Sequence, residues 1–401
     1  MSTNDILFVI RFIERRKAMS VFSIAEHVVY GESALSDAIP YMKKEGKRPL
    51  IVTGQHVGKS PMVEDLVSLL NKELMTPVIF DGITGEPNDV MIKTGVEIYK
   101  NEGCDEIIGI GGGSPLDSAK AIAAMSVWDG PISTFDETKL TKPMPYVTAI
   151  PTTAGTGSET TKFFVITDTA TDIKMLLKGD CLVPRLAVLV PSYTYDMPKS
   201  VTASTGLDAL THAVEAYTSK KAFDLTDTYA ISAVKIIFEF LPKAYTNGRD
   251  SEARKQMMLA AFEAGVCINN SSVTIVHGMS RPIGALFHVP HGLSNAMLIS
   301  KCLGFALDGA YERFGRLGKE IGAVSESASD EEASKALISK IEELVKICEV
   351  PTLKEYGVEE EKYFSSIEKM AHDAVASGSP SNTRKPVTEA DCIDIYKSLY
   401  Y

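Results

Sequence analysis

The chain has 401 residues, more than one compact core usually holds, which points to two domains or one large composite. Its formal net charge of −11 leaves no basic field for nucleic acid or an anionic membrane, so an anionic ligand has to be captured by local chemistry. Six cysteines (104, 181, 267, 302, 348 and 392) include no C-x-x-C pair, which argues against a thiolate zinc cluster or a disulfide framework and fits a reducing cytoplasm. The start, MSTNDILFVIRFIERRKAM, has a short apolar run broken by Arg11, with its charges after the run rather than before it, unlike a signal peptide. No run approaches the ~18 apolar residues of a membrane span, and the expectation is a cytoplasmic protein.

In chain order, RPLIVTG (48–54) reads as a strand ending in glycine, and Met62–Leu74 carries helical spacing. TPVIFDG (76–82) is a second strand, followed by a helix over Asp89–Glu102. DEIIGIGGG (105–113) is a third, handing over to the helix PLDSAKAIAAM (115–125). The strands are apolar throughout rather than alternating, the pattern of a parallel sheet covered on both faces.

The handover GGGSPLDSAK (111–120) invites a ligand. Gly111, Gly112 and Gly113 allow close backbone approach, Ser114 is the expected N-cap, Pro115 the first helical residue and Asp117 the partner in a capping box. The free amides of such a helix start suit a pyrophosphate. A capped turn with no ligand has the same pattern, and G-x-G-x-x-G is only approached here. PTTAGTGSET (151–160) is a second turn rich in hydroxyls and glycine.

From about Ser200 the strand signals stop. DALTHAVEAYTS, TYAISAVKIIFEFLPKAY, EARKQMMLAAFEAGVCI and EEASKALISKIEELVKICEV have apolar residues at helical spacing, so the second half is expected to be all-helical. In TGLDALTHAVEAY (205–217), Asp208 and His212 are four apart and share one helix face. HGMSRPIGALFHVPHG (277–292) holds three of the seven histidines. Asp208, His212, His277 and one further histidine make a carboxylate and three imidazoles, a donor set for Fe(II) or Zn(II). Periodicity does not choose between His288 and His291, and Pro282 and Pro290 argue against an unbroken helix.

DALTHAVEAY, HGMSRP…PHG, GGGSPLDSAK and PTTAGTGSET, in their order along the chain, resemble the iron-containing (group III, metal-dependent) alcohol dehydrogenases, from about Phe22 to Tyr401. The resemblance implies the dehydroquinate synthase-like fold: an α/β nucleotide-binding domain with a parallel sheet (19–199) and an all-α metal-binding domain (200–401), after an N-terminal extension (1–18). It implies Asp208, His212, His277 and His291 as ligands of Fe2+, or of Zn2+ or another divalent metal, with His288 outside the set. It places GGGS (111–114) and Asp117 at the phosphates and ribose of NAD(H) or NADP(H). Thr152, Thr153, Thr156 and Ser158 then border the pyrophosphate and nicotinamide, and Lys174 approaches the nicotinamide ribose. Family members are commonly dimers or larger.

Two departures from the family pattern carry information. Many NAD-using members end the first strand with an aspartate that repels a 2′-phosphate; here Gly54 stands there, and Lys59 or the loop amides could accept the phosphate. The expectation is dual or NADP-leaning use. Four residues after His277, where many relatives have another histidine, this chain has Arg281, facing the same cleft. A guanidinium suits an aldehyde carrying a carboxylate, sulfonate or phosphonate, such as sulfoacetaldehyde or succinic semialdehyde. Its competing role is pairing with a protein carboxylate or the cofactor phosphates. Arg281 and His277 are thus the expected catalytic side chains of a metal-dependent aldehyde reductase and alcohol dehydrogenase. A general short-chain alcohol or diol dehydrogenase is the alternative, and a dehydroquinate synthase-type lyase the remote one, since its pocket needs several basic residues. A non-catalytic scaffold is disfavoured by the complete ligand set.

Overall fold

The runs PLIV, EIIGIG, YVTAIP and LAVL are buried at every position, as strands covered on both faces must be. In the computed structural model, which describes residues 21–401 except Asp172, they form the middle of a six-stranded parallel sheet. The elements of this half are β1 (His27–Tyr30), α1 (Ala34–Glu45), β2 (Pro49–Val52), α2 (Gln55–Gly58), α3 (Pro61–Lys72), β3 (Val78–Phe80), α4 (Asp89–Asn101), β4 (Glu106–Gly111), α5 (Gly113–Val127), β5 (Tyr146–Pro151), β6 (Phe163–Asp168), β7 (Ile173–Lys178) and β8 (Leu186–Leu189). The sheet order is β1-β8-β5-β4-β2-β3. Each predicted strand and helix of this half is present, with ends moved by a few residues. The proposed extension at 1–18 lies outside the described residues.

Register decides where the turns meet. Val52 pairs with Gly109, and Gly111 with Pro151, so the chain leaves β2, β4 and β5 at the same C-terminal edge. Ligands of open α/β sheets bind along that edge. The sequence reading did not include the antiparallel hairpin β6–β7, in which Phe163 pairs with Lys178 and Thr167 with Lys174. Its alternating burial, with Phe164 and Ile166 inward, sets it on the apolar layer beneath α4 and α5.

The helical half runs α6 (Lys199–Thr218), α7 (Asp224–Thr246), α8 (Ser251–Asn270), α9 (Ile275–Phe287), α10 (His291–Ala306), α11 (Tyr311–Glu320), α12 (Asp330–Ile347), α13 (Leu353–Tyr356), α14 (Glu360–Ala376) and α15 (Glu389–Lys397). Its core is one large cluster centred on α6, which is buried without interruption from Gly206 to Thr218. A helix buried all round can carry polar side chains only where they serve one another, and α6 carries Asp208, His212 and Glu215. Among the described residues no single helix is long and apolar enough to cross a membrane.

The two halves meet through the turn after β5. Gly157 has φ +61°, and a Cβ there would lie 2.5 Å from the Cα of Gly265 on α8. Only glycine at both positions lets the turn sit this close to the helix.

Candidate metal centre and cofactor edge

Asp208 and His212 project from one face of α6, one turn apart. His277 comes from the first turn of α9, and His291 stands at the start of α10, which follows the break at 288–290 and packs against α9. His288 ends α9 in the left-handed region at φ 53°, and Pro290 opens α10. This break leaves His288 on the surface and brings His291 Nε2 within 3.7 Å of Asp208 Oδ1, although the His291 side chain stays partly open to solvent. Helical periodicity could not separate the two because no single helix spans them. Gly292 allows the approach: a Cβ there would lie 2.7 Å from the Ser204 carbonyl oxygen.

One ligand atom from each of Asp208, His212, His277 and His291 lies within 4.8 Å of the others. Asp208 Oδ1 is 3.8 Å from His212 Nε2, 3.8 Å from His277 Nε2 and 3.7 Å from His291 Nε2. The His212 and His277 rings stack at 4.7 Å between centroids. Burial works against the Asp208 charge, but His212, His291, His277 and the Asn295 amide outweigh it and hold its pKa below the ordinary value. Burial, with His212 and His291 beside it, holds His277 well below its ordinary value, so the ring is neutral and has a lone pair to offer. Asn295 Nδ2 donates to Asp208 Oδ1 at 2.7 Å and stands 3.1 Å from His277 Nε2 and 3.2 Å from His291 Nε2. Lone pairs from three side chains thus converge on one point. That convergence, with one carboxylate and three imidazoles, fits a divalent ion of the Fe(II) or Zn(II) type.

The cage is closed on three sides. The Asp208, His212 and His277 side chains are 2%, 5% and 4% exposed, whereas His291 is 48% exposed. On the side of His291 lie two cations, Arg281 and Lys174, whose charges act on its ring. Lys174 reaches over from β7 and pairs with Glu86 at 2.7 Å; a Cβ at Gly284 would be 4.0 Å from its Nζ. Arg281 is half-buried, and burial lowers its pKa. It has no hydrogen bond or ion pair among the described residues; the Glu215 charge acts on it, but that carboxylate is engaged elsewhere.

At the sheet edge the glycine turn differs from the expected cap. α5 begins at Gly113 with Gly112 as N-cap and no side-chain cap hydrogen bond, so Ser114 lies inside the first turn and is not the cap. Asp117 does not form a capping box. Its carboxylate accepts from Ser158 Oγ at 2.5 Å and Val165 N at 2.9 Å, and pairs with Lys120 Nζ at 3.2 Å. The physical reason is a stronger competitor: a fully buried lysine and a second loop reach the carboxylate before its own helix start can. The backbone amides of the turn are therefore left free of side-chain caps.

The second loop folds onto the first. Thr152 N donates to Gly111 O at 2.9 Å, and Cβ atoms at Gly112 and Gly113 would meet Thr153 at 3.5 Å and Thr156 at 3.0 Å. Thr153 Oγ1 is buried with no partner among the described residues. Uncapped amides and an unpartnered hydroxyl along a glycine cradle fit a dinucleotide pyrophosphate. Gly54 caps the short α2 at the end of β2, as a strand end without a carboxylate. Asp81, however, follows β3 next door: a Cβ at Gly58 would be 3.0 Å from Asp81 Cβ and 3.8 Å from its Oδ2.

Three buried residues escaped the sequence reading: Glu215, Asn295 and Lys120. Each had a spacing signal, since Glu215 is seven beyond Asp208, Asn295 four beyond His291 and Lys120 three beyond Asp117. Spacing alone does not separate such residues from a solvated helix face.

Comparison with known proteins agrees with this geometry. A family model described as "Iron-containing alcohol dehydrogenase" matches residues 25–191, and one described as "Fe-containing alcohol dehydrogenase family, C-terminal" matches 202–400. The chain is 34% identical over 383 residues to the NAD-dependent methanol dehydrogenase of Bacillus methanolicus, covering 95% of this chain and 100% of the relative. The crystal structure of a 1,3-propanediol oxidoreductase superposes with a TM-score of 0.90 at 30% identity, covering 95% of this chain and 100% of that one. The sulfoacetaldehyde reductase of Bifidobacterium kashiwanohense, solved with NAD+, superposes with a TM-score of 0.84 at 25% identity, covering 96% and 99%.

Proposed function

The chain belongs to the iron-containing alcohol dehydrogenase family, and on that premise we propose that it is an NAD(P)H-dependent reductase of short aldehydes that carry an anionic group. The observation that carries the reading is Arg281, a half-buried guanidinium one turn beyond His277 with no protein partner among the described residues. A desolvated and unpaired charge is costly, so a chain that keeps one beside its metal centre has a use for it. A bidentate anion satisfies it. Lys178 and Lys221 add to the positive field that Arg281 meets, and burial together with these like charges lowers the Lys178 pKa. The name of the sulfoacetaldehyde reductase neighbour supports the same substrate class.

In this reading Asp208, His212, His277 and His291 hold the ion. The amides of Gly111–Ser114, with Thr152, Thr153 and Thr156, border the cofactor. Ser158 and Asp117 act at one remove, by tying the second loop to α5. When bound, the ion supplies Lewis-acid polarisation of the substrate oxygen, and the nicotinamide supplies or takes the hydride. The protein contributes position. Substrate enters over His291, the exposed ligand of the four; Arg281 grips the anionic end, and the buried walls formed by α6 and α9 exclude water. Lys174 extends the positive field to the nicotinamide side.

Both cofactors are admitted. Gly54 removes one source of repulsion to a 2′-phosphate, whereas Asp81 beside Gly58 restores a carboxylate near that turn and favours NAD. Comparing kcat/KM with NADH and NADPH weighs the two residues against each other.

The test of the proposal is a pair of short aldehydes matched in size, one neutral and one bearing a sulfonate or carboxylate. The anionic aldehyde is expected to be preferred by ~100-fold in kcat/KM, about 2.7 kcal/mol of transition-state binding, and Arg281→Met should remove the preference through KM. If Arg281→Met depresses both substrates alike, the arginine has a structural or cofactor role and the enzyme is a general short-chain alcohol or diol dehydrogenase.

A further inference from the structure

Outside the ligand set, the Glu215 carboxylate on α6 is 0% exposed and engaged at both oxygens. Oε1 accepts from Thr274 Oγ1 at 2.6 Å and from Val276 N at 2.7 Å, while Oε2 faces His277 Nδ1 at 2.5 Å. His212 differs: its Nδ1 is equally buried but has no partner among the described residues. Two stacked imidazoles in one cage are thus oriented in different ways, and only one has a carboxylate behind it.

We propose that Glu215 is the positioning residue of the metal centre: it takes the Nδ1–H of His277, fixes that tautomer and so holds the Nε2 lone pair towards the ion. A carboxylate can only accept, so the facing ring nitrogen must donate. With its proton on Nδ1, the neutral ring has a bare Nε2, the atom that faces Asp208. A carboxylate behind a ligating imidazole also raises the basicity of the ligand. Thr274 and the Val276 amide complete the device, because they anchor Oε1 and leave Oε2 free to face only the histidine. The inference does not depend on which aldehyde the enzyme reduces.

The geometry predicts an unusual order among variants. In Glu215→Gln the side-chain oxygen must stay on the Val276 side, since a backbone N–H has no lone pair to offer an amide N–H₂. The amide nitrogen then faces His277 Nδ1 and donates to it. His277 responds by carrying its proton on Nε2, where it blocks the ion. The isosteric change is therefore expected to harm metal binding at least as much as Glu215→Ala, which leaves the tautomer free. A residue that merely filled space would behave in the opposite way, with glutamine milder than alanine.

The experiment is titration of metal-free protein with Zn(II) against a competing chelator, with far-UV circular dichroism to check the fold. Glu215→Ala should weaken Zn(II) binding by ~10–100-fold, the usual scale for a partner behind a ligand, and Glu215→Gln by as much or more. Zn(II) affinity of Glu215→Gln within threefold of the unaltered protein, or clearly above that of Glu215→Ala, overturns the proposal. If neither variant folds, 15N NMR of the unaltered Zn(II) form decides: a His277 ring proton on Nδ1 supports it, and one on Nε2 overturns it.

Discussion

The metal centre and the nucleotide edge solve the binding problem with different parts of the chain. The cage is built from side chains on α6, α9 and α10: Asp208, His212 and His277 are buried, Glu215 stands behind His277, and Asn295 holds Asp208. The edge is built mainly from backbone, in turns whose side chains are small and leave the helix start without a side-chain cap. A cation needs converging lone pairs, which only side chains can bring from three helices to one point. A pyrophosphate needs a row of donors, which an uncapped helix start already has.

The largest effect should separate the two regions. Asp208→Ala removes the anionic ligand from the cage, and metal retained after dialysis should fall to background, with activity lost well beyond the ~10–100-fold of changes one step removed. Binding of NADH, followed by fluorescence, should be unaltered. If NADH affinity fell in parallel with metal content, the two regions would be one cooperative unit.

Lys120→Met attacks the other side. The Lys120 ammonium is fully buried and reaches Ser158 O at 3.0 Å, Thr161 Oγ1 at 3.0 Å and Phe163 O at 2.6 Å, besides Asp117. Together with the buried Glu159, it brings side-chain charge into a region otherwise made largely of backbone. Breaking a buried pair from one side costs about 3–5 kcal/mol, so the urea midpoint should drop and KM for the cofactor should rise. Zn(II) affinity should remain as it was. A loss confined to metal binding would show that the second loop supports the cage instead.

The smallest change is a control that touches neither region. Glu106, on β4 far from both, is 0% exposed, and both its oxygens are without partners among the described residues. Burial, with Asp105 and Glu45 nearby, raises its pKa from 4.5 to about 8. The folded protein therefore holds a proton that the unfolded chain has already released. The stability is fully present below pH ~4.5 and is lost as the pH rises through about 8, on the order of a few kcal/mol. Glu106→Gln should flatten that decline in urea titrations between pH 5 and 9 and leave metal and cofactor binding alone. An unchanged pH slope would locate the titration in another group.

Much of the α/β half was legible because its signals are local. Runs such as EIIGIG can only be strands covered on both faces, and their glycine ends can only be turns. The hairpin β6–β7 was not legible, since TKFFVITDTATDIKMLLK (161–178) mixes exposed and buried positions that depend on what lies beneath. Ser114 shows the limit of capping rules. Its sequence context is that of an N-cap, but the packing of the next loop against Gly112 and Gly113 starts the helix earlier and draws Asp117 away.

By itself the sequence determined the class of the protein: the order of its motifs, the strands that carry the cofactor turns, and a donor set of one carboxylate and three imidazoles. The resemblance named His291 where periodicity left it open; tertiary structure gave the distances that gather the four side chains, the want of a partner for Arg281 among the described residues, and the buried carboxylate that stands behind His277. The reason is one of range. A strand, a turn or an i to i+4 pair is set by residues within a few positions of one another. The His288–Pro290 break, the distances from Asp208 to His291 and from Glu215 to His277, and the bareness of Arg281 depend on how α6, α9 and α10 pack, and residues 60 to 90 positions apart write no periodic signal into the chain.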